Sequence, residues 1–274
     1  MAHRARKRFG QNFLQDERIV ERIVGALAPA RGDRLVEIGP GLGALTGPLL
    51  SRVDRLDVVE LDRDLAASLP GRLDHPSKLV IHQADALRFD FRALADGRAL
   101  RLIGNLPYNI STPLLFHLLD QADADPACSA ATPSSPIADM HFMLQQEVVE
   151  RLVAEPDSSS RGRLSVMAQA RADVARLFGV PPDAFQPAPK VDSAVVRIVP
   201  KTLDAAERGR LPALEEVVRA AFSQRRKTLR NTLKGLLDAE QIEAAGIDPA
   251  RRAQTLSLGE FERLADVLQG APRR

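Results

Sequence analysis

The sequence predicts an α/β fold, a doubly wound and mostly parallel sheet followed by a small all-helical domain, and three observations carry that expectation. Short apolar runs alternate with helical patterns to about residue 200, the spacing expected of βαβ units. One run, Leu35-Val36-Glu37-Ile38, passes directly into Gly39-Pro40-Gly41-Leu42-Gly43 and then into a helical pattern, so a buried strand meets a glycine turn and a helix N-terminus. From Leu203 onward the apolar spacing is wholly helical, which sets a boundary near residue 201 and two domains, 1–201 and 202–274.

Residues 1–15 hold four Lys/Arg and no acid, yet Phe9, Phe13 and Leu14 are more apolar than a solvated tail requires, so the later half of the segment is expected to dock. Asp16 reads as the N-cap of a helix that places Ile19, Val20, Ile23, Val24 and Leu27 on one face and stops at Pro29 and Gly32. After the glycine turn and a short helix, Leu56 to Leu61 reads as a second strand, and a polar helix near 63–73 follows. Leu79 to Leu87 reads as a third strand with Asp85 at its end, and Leu100 to Gly104 as a fourth running into Asn105-Leu106-Pro107-Tyr108. Beyond a helix at about 112–120, Gln121 to Pro136 is rich in Ala, Asp, Ser and Pro and reads as a surface loop. Then come a strand at 140–144, helices at 147–153 and 163–170, and strands at 174–180 and 193–199, the last two joined through Phe185-Gln186-Pro187-Ala188-Pro189-Lys190. Helices near 213–222, 226–237, 239–245 and 257–268 complete the chain.

Composition narrows the function classes. With 274 residues, 45% of them hydrophobic and 27% charged, the chain is an ordinary globular sequence with no apolar run long enough for a bilayer. The basic N-terminus lacks a signal-like apolar core, so a cytoplasmic protein is expected. A single cysteine, Cys128, excludes an internal disulfide, and the five His with that Cys show no metal-ligand spacing, so no metal is expected. Net charge is only +2, and what matters is where the positive charges cluster.

Gly39, Gly41 and Gly43 form G-x-G-x-G, with Thr46 where the dinucleotide pattern wants a third glycine, which disfavours a pyrophosphate loop. The turn at Gly39 and Gly41 still suits close backbone approach to a nucleotide-like ligand, and Glu60 at the next strand end can accept both hydroxyls of a ribose. Ligands of parallel sheets collect at the carboxyl ends of strands, so Gly39, Glu60, Asp85 and Asn105 are expected along one crevice.

Asn105-Leu106-Pro107-Tyr108 resembles the Asn/Asp-Pro-Pro-aromatic signature of methyltransferases that act on exocyclic amines of bases. The lone pair of such an amine is delocalised into the ring, so attack on a methyl group needs acceptors aimed at the amine hydrogens. The Asn105 side-chain oxygen and the Leu106 carbonyl are the candidates, with Pro107 stiffening the turn. Tyr108, the only tyrosine in a chain without tryptophan, offers a stacking face. In the helical tail, Arg225, Arg226, Lys227, Arg230 and Lys234 cluster without an acid from Phe222 to Lys234, a footprint suited to RNA phosphates.

Taken together, Gln11-Asn12-Phe13-Leu14, Glu37 to Gly43, Glu60-Leu61-Asp62, Gly104 to Ser111 and Pro187 to Ser193 resemble the ribosomal RNA adenine dimethyltransferase family over nearly the whole chain. Met140 to Val148, Gly162 to Val166 and Phe222 to Asn231 are similar to its bacterial small-subunit branch. That resemblance implies a Rossmann-like class I methyltransferase domain with a helical RNA-binding domain. It implies S-adenosylmethionine at Asn12, Leu14, Gly39, Glu60, Asp85 and Asn105, and Phe185 on the opposite face of the target base from Tyr108. The substrate it implies is two adjacent adenosines in the 3′-terminal hairpin loop of 16S rRNA, within a 30S subunit or its precursor, with a monomeric enzyme and no membrane. Gln121 to Pro136 is longer than the family pattern. Three other readings stand beside this one: the large-subunit branch that confers macrolide resistance, a non-enzymatic assembly or nucleic-acid-binding factor, and a small-molecule methyltransferase.

Overall fold

The computed structural model describes residues 11–123 and 135–270; the basic run Arg4 to Arg8, Cys128 and most of the 121–136 loop lie outside them. The first elements are β1 (Phe13–Leu14), α1 (Glu17–Leu27), β2 (Arg34–Ile38), α2 (Thr46–Leu50), β3 (Leu56–Glu60), α3 (Arg63–Ser68), β4 (Leu79–Gln83), β5 (Leu100–Asn105) and α4 (Ser111–Ala122). They are followed by β6 (Ile137–Gln145), α5 (Gln146–Leu152), α6 (Arg163–Gln169), β7 (Ala172–Val180), β8 (Phe185–Gln186) and β9 (Ser193–Pro200). The remainder is helical: α7 (Ala205–Ala221), α8 (Leu229–Thr232), α9 (Ala239–Ala244) and α10 (Leu258–Gly270).

Two compact units emerge. The first draws on the chain up to Val149 together with Ala175–Thr202, and the second combines Glu150–Val174 with the chain from Leu203. The expected boundary near 201 left Glu150–Val174 in the first domain. The structure groups that segment with the C-terminal helices: the Arg161 guanidinium donates to the carbonyls of Ala154 and Leu256, and Arg163 pairs with Glu215 on α7.

The first unit is organised by a seven-stranded sheet in the order β4-β3-β2-β5-β6-β9-β7. Strands β4, β3, β2, β5 and β6 run parallel, and β9 returns antiparallel to β6. Both β2 and β3 are buried along their whole length, which is why they read as near-continuous apolar runs. Between β2 and β5 the order of strands reverses, because the chain fills one side of β2 with β3 and β4 before crossing to β5. Crevices of doubly wound sheets open at such a reversal.

Local chemistry fixes the flanking elements. Asp16 caps α1 by accepting from the backbone N–H groups of Arg18 and Ile19, and the apolar stripe Ile19, Val20, Ile23, Val24 and Leu27 is buried. At the other end Ala28 takes a left-handed conformation, and the Arg101 guanidinium donates to the Leu27 carbonyl at 2.7 Å while pairing with Asp33 and Asp139. A cation there meets the negative end of the helix dipole, so β5 anchors α1 directly.

Three features depart from the expected elements. Phe13–Leu14 and Phe185–Gln186 form a two-stranded antiparallel sheet, Leu14 opposite Phe185, which docks the later part of the N-terminal segment. In the second unit the helix expected at 226–237 is reduced to the four residues of α8, because Thr228 is extended and Gly235 takes φ 101°, ending the turn that follows. Conversely α7 starts at Ala205, well ahead of the expected 213, and carries Pro212 inside it. Its N-terminus is fixed by a capping box between Asp204 and Glu207.

Gly104 governs how closely β5 can lie against β2. A Cβ at that position would fall far inside van der Waals distance of the Ile38 carbonyl, a backbone atom with no freedom to move aside. Gly104→Ala should therefore destabilise the protein by about 1–3 kcal/mol in urea unfolding. Gly25→Ala, on α1 with nothing near the added methyl, should be neutral or stabilising by up to about 1 kcal/mol. Equal stability of Gly104→Ala and the parent chain would show that this approach is not constrained.

Candidate active site

At the carboxyl ends of β2, β3 and β5 the first unit holds a cavity of about 350 Å³. It is lined by Gln11 to Leu14, the turn from Gly39 to Leu42, Glu60 and Leu61, Ala84 to Ala86, and Asn105 to Ile110. The residues expected on one crevice, Gly39, Glu60, Asp85 and Asn105, do share it, together with Asn12, Leu14 and Gly41.

The glycine turn works through its backbone. Gly39, Gly41 and Gly43 all have positive φ, at 69°, 59° and 92°. The space over Gly41 is taken by the Phe13 ring, which a Cβ would meet at 3.2 Å. Glu60 is held at both oxygens: Oε2 accepts from the Gly41 N–H of this turn at 3.3 Å and Oε1 from the Asp62 N–H, just past β3, at 2.8 Å. Burial raises the Glu60 pKa above the ordinary carboxylate value, and these two N–H groups act against that rise. Behind the turn lies Glu37, to which the sequence alone assigns no role. Complete burial pushes its pKa up to about 8, so at neutral pH it keeps its proton, while Thr46 Oγ donates to its Oε2 at 2.7 Å. The signal for it was present in the sequence, as an acid in the middle of a strand that is otherwise apolar.

Asn105 ends β5, and its side chain is oriented by a contact with the docked N-terminal segment. Nδ2 donates to the Asn12 carbonyl at 2.9 Å, which leaves the side-chain oxygen as the acceptor end. The Leu106 N–H donates to the Met143 carbonyl on β6 at 3.2 Å, and the Pro107 carbonyl accepts from the Ile110 N–H at 3.1 Å, closing a tight turn. Tyr108 follows, half-buried on the cavity wall, with its carbonyl accepting from Ser111 Oγ and its hydroxyl 2.7 Å from Ser193 Oγ. Burial raises its pKa. Asp85, two residues past the end of β4, accepts the Leu87 N–H through Oδ1 at 3.0 Å.

Other sequence-selected residues are placed elsewhere. Phe185 is 3% exposed, packs in the hydrophobic cluster with Leu14, Ile19 and Val180, and does not line the cavity. Stacking on a base would require its ring to leave that cluster. His141 sits buried in the core, its pKa pushed down to about 4 by burial. His117 lies beside the Phe89 carbonyl and Gln121. In the second unit Arg225, Arg226, Lys227, Arg230 and Lys234 are all exposed, while Leu229 and Leu233 are buried beneath them. Arg225, Arg226 and Lys227 occupy the turn before α8, held by the Arg225 guanidinium on the Ser159 carbonyl. Leu61 and Asn109 also line the cavity without having been singled out; their one signal was adjacency to Glu60 and Tyr108.

Among solved structures, a dimethyladenosine transferase from Plasmodium falciparum shares the fold, with a TM-score of 0.75 and 23% identity over 92% of this chain and 95% of that one. Curated relatives are much nearer in sequence. "Ribosomal RNA small subunit methyltransferase A" of Acinetobacter baylyi is 53% identical over 270 residues, covering 97% of this chain and 93% of the relative. The protein of the same name from Pseudomonas aeruginosa is 53% identical over 271 residues, covering 98% and 97%. The family model described as "Ribosomal RNA adenine dimethylase" matches residues 2–270. A match of that extent, on a chain whose Asn-Leu-Pro-Tyr turn and glycine turn open on one cavity, makes this protein a member of the ribosomal RNA adenine dimethylase family.

Proposed function

We propose that the protein is an S-adenosylmethionine-dependent rRNA adenine dimethyltransferase that methylates the N6 amines of two adjacent adenosines in the 3′-terminal hairpin loop of 16S rRNA. It acts as a cytoplasmic monomer on a 30S subunit or its precursor. The observation that carries the reading is the joining of Asn105-Leu106-Pro107-Tyr108 to the glycine turn, Glu60 and Asp85 around one cavity. The small-subunit assignment draws on relatives of that name at 53% identity. Among the described residues no helix is long and apolar enough to cross a membrane.

The donor set fits the cofactor: a buried carboxylate for ribose hydroxyls at Glu60, a second acid for an adenine amine at Asp85, and a backbone turn at Gly39 to Gly41. When bound, S-adenosylmethionine supplies an electrophilic methyl group. The protein's own contribution is to hold the target amine. Asn105 Oδ1 and the Leu106 carbonyl accept its two hydrogens and so localise the nitrogen lone pair, while Tyr108 stacks on the base. A loop adenosine can be splayed into such a site at far lower cost than a paired one. Tethering of Leu106 to β6 and of Asn105 to Asn12 keeps both acceptors in place before substrate arrives. The exposed cations of the second unit grip the RNA phosphates.

Three variants test separate parts. Glu60→Ala should weaken S-adenosylmethionine binding in calorimetry by about 1.5–3 kcal/mol for each of the two ribose hydrogen bonds lost to the carboxylate. Unchanged affinity would remove Glu60 from the cofactor site. Replacing Arg225, Arg226 and Lys227 together by Ala should lower RNA affinity and flatten its salt dependence by a slope of about 2–3. A slope equal to that of the parent would place the phosphate contacts elsewhere. Asn105→Ala should slow single-turnover methyl transfer on the order of 100- to 1000-fold at saturating cofactor, with RNA affinity largely kept. Transfer near the parent rate would refute the acceptor role.

A further inference from the structure

Among the described residues, Ser193 is the one hydroxyl side chain brought to the phenol of Tyr108, and it lies outside the cavity lining. It begins β9, is fully buried, and its Oγ lies 2.7 Å from the Tyr108 hydroxyl. A buried hydroxyl without a partner is costly, so each of these two groups satisfies the other. We propose that Ser193 is a positioning residue that pins the phenol tip of Tyr108, fixing where its ring lies in the cavity wall and so where the target base stacks. The proposal rests on the reading of Tyr108 as the base-stacking residue.

The strand register explains why position 193 can do this. Ser193 pairs with Gln145 on β6, and the Gln146 N–H donates to the Asp192 carbonyl at 2.9 Å, so the chain is held on both sides of that pair. Two residues earlier on the same strand, Met143 pairs with Asn105 and its carbonyl accepts the Leu106 N–H. The amine acceptors and the hydroxyl that steadies the ring are thus gauged from one strand. Tyr108 is held at its two ends, by Ser111 Oγ at its carbonyl and by Ser193 at its phenol. With its backbone held at one end and its phenol at the other, the side chain loses the swing about its Cα–Cβ bond that would otherwise be frozen only when the base arrives.

The sequence supplies its own probe. Tyr108 is the only tyrosine and there is no tryptophan, so the tyrosine near-ultraviolet band of the whole protein reports on this one ring. The test compares Ser193→Ala, Ser193→Thr, Tyr108→Phe and the double variant Ser193→Ala with Tyr108→Phe. Expected are a shifted tyrosine band in Ser193→Ala and single-turnover methyl transfer slowed about three- to tenfold at saturating cofactor. Cofactor affinity should be unchanged, and Ser193→Thr should restore both band and rate. If Ser193 acts through the phenol, the double variant is no slower than Tyr108→Phe alone. An unshifted band, a shifted band with full activity, or additive losses in the double variant would each overturn the proposal. If Ser193→Ala does not fold, Tyr108→Phe, which removes the same contact from the other side, should slow transfer about three- to tenfold, and full activity in it would overturn the proposal. Absence of methyl transfer by the parent protein on unmethylated small subunits would instead sink the functional reading, and the band comparison would still decide whether Ser193 orders the ring.

Discussion

The closeness of β5 to β2 at their carboxyl ends is the constraint on which the site depends. A residue with any side chain at position 104 would collide with the Ile38 carbonyl, and Ile38 leads straight into Gly39. Because Gly104 lets the strands meet there, the glycine turn after β2 and the Asn105 turn after β5 face one space rather than two. The same pair of strands is where the sheet order reverses, so the opening between their diverging crossovers is available to a ligand. Everything else in the site is gauged from these two ends: Glu60 from its bond to Gly41, Tyr108 from the turn after Asn105, and Asn12 from the Asn105 amide.

Several anchors of the site lie outside its lining. β6 does not border the cavity, yet Met143 holds Leu106 and the strand's register with β9 places Ser193. The β1 and β8 pair likewise ties the segment carrying Asn12 to the one carrying Phe185, and puts the Phe13 ring against Gly41. Two acids flank the turn, and burial raises the pKa of both. Glu37, wholly enclosed and repelled by Glu60, keeps its proton, whereas Glu60 is supported by two backbone N–H groups. Preorganised acceptors that need not move during reaction are the main resource of such a site.

Much of this could be read from the chain, and what could not has physical causes. Strands buried on both faces announce themselves as apolar runs, and the glycine turn and Asn105-Leu106-Pro107-Tyr108 are local in sequence. β1 and β8 are two residues each, too short for any period, and exist only because they pair with one another. Pro212 hid the first two turns of α7, since a proline inside a helical pattern normally reads as a stop; the Asp204 capping box outweighs it. The spacing of Leu229 and Leu233, four apart, suggests a helix from 226, but the extended Thr228 starts it only at Leu229. The grouping of Glu150–Val174 with the C-terminal helices depends on Arg161 and Arg163 reaching residues far along the chain, and Ser193 on strand register. Such long-range pairings leave no mark in a local window.

The central claim is that one cavity presents the methyl donor and an adenine amine to each other for reaction on small-subunit RNA. Primer extension across the 3′ end of unmethylated 16S rRNA, in 30S particles incubated with the purified protein and S-adenosylmethionine, tests it most directly. The account predicts new reverse-transcription stops at two adjacent adenosines of the terminal hairpin loop, absent when the cofactor is withheld. No new stop, or a stop only in large-subunit RNA supplied in parallel, would contradict it.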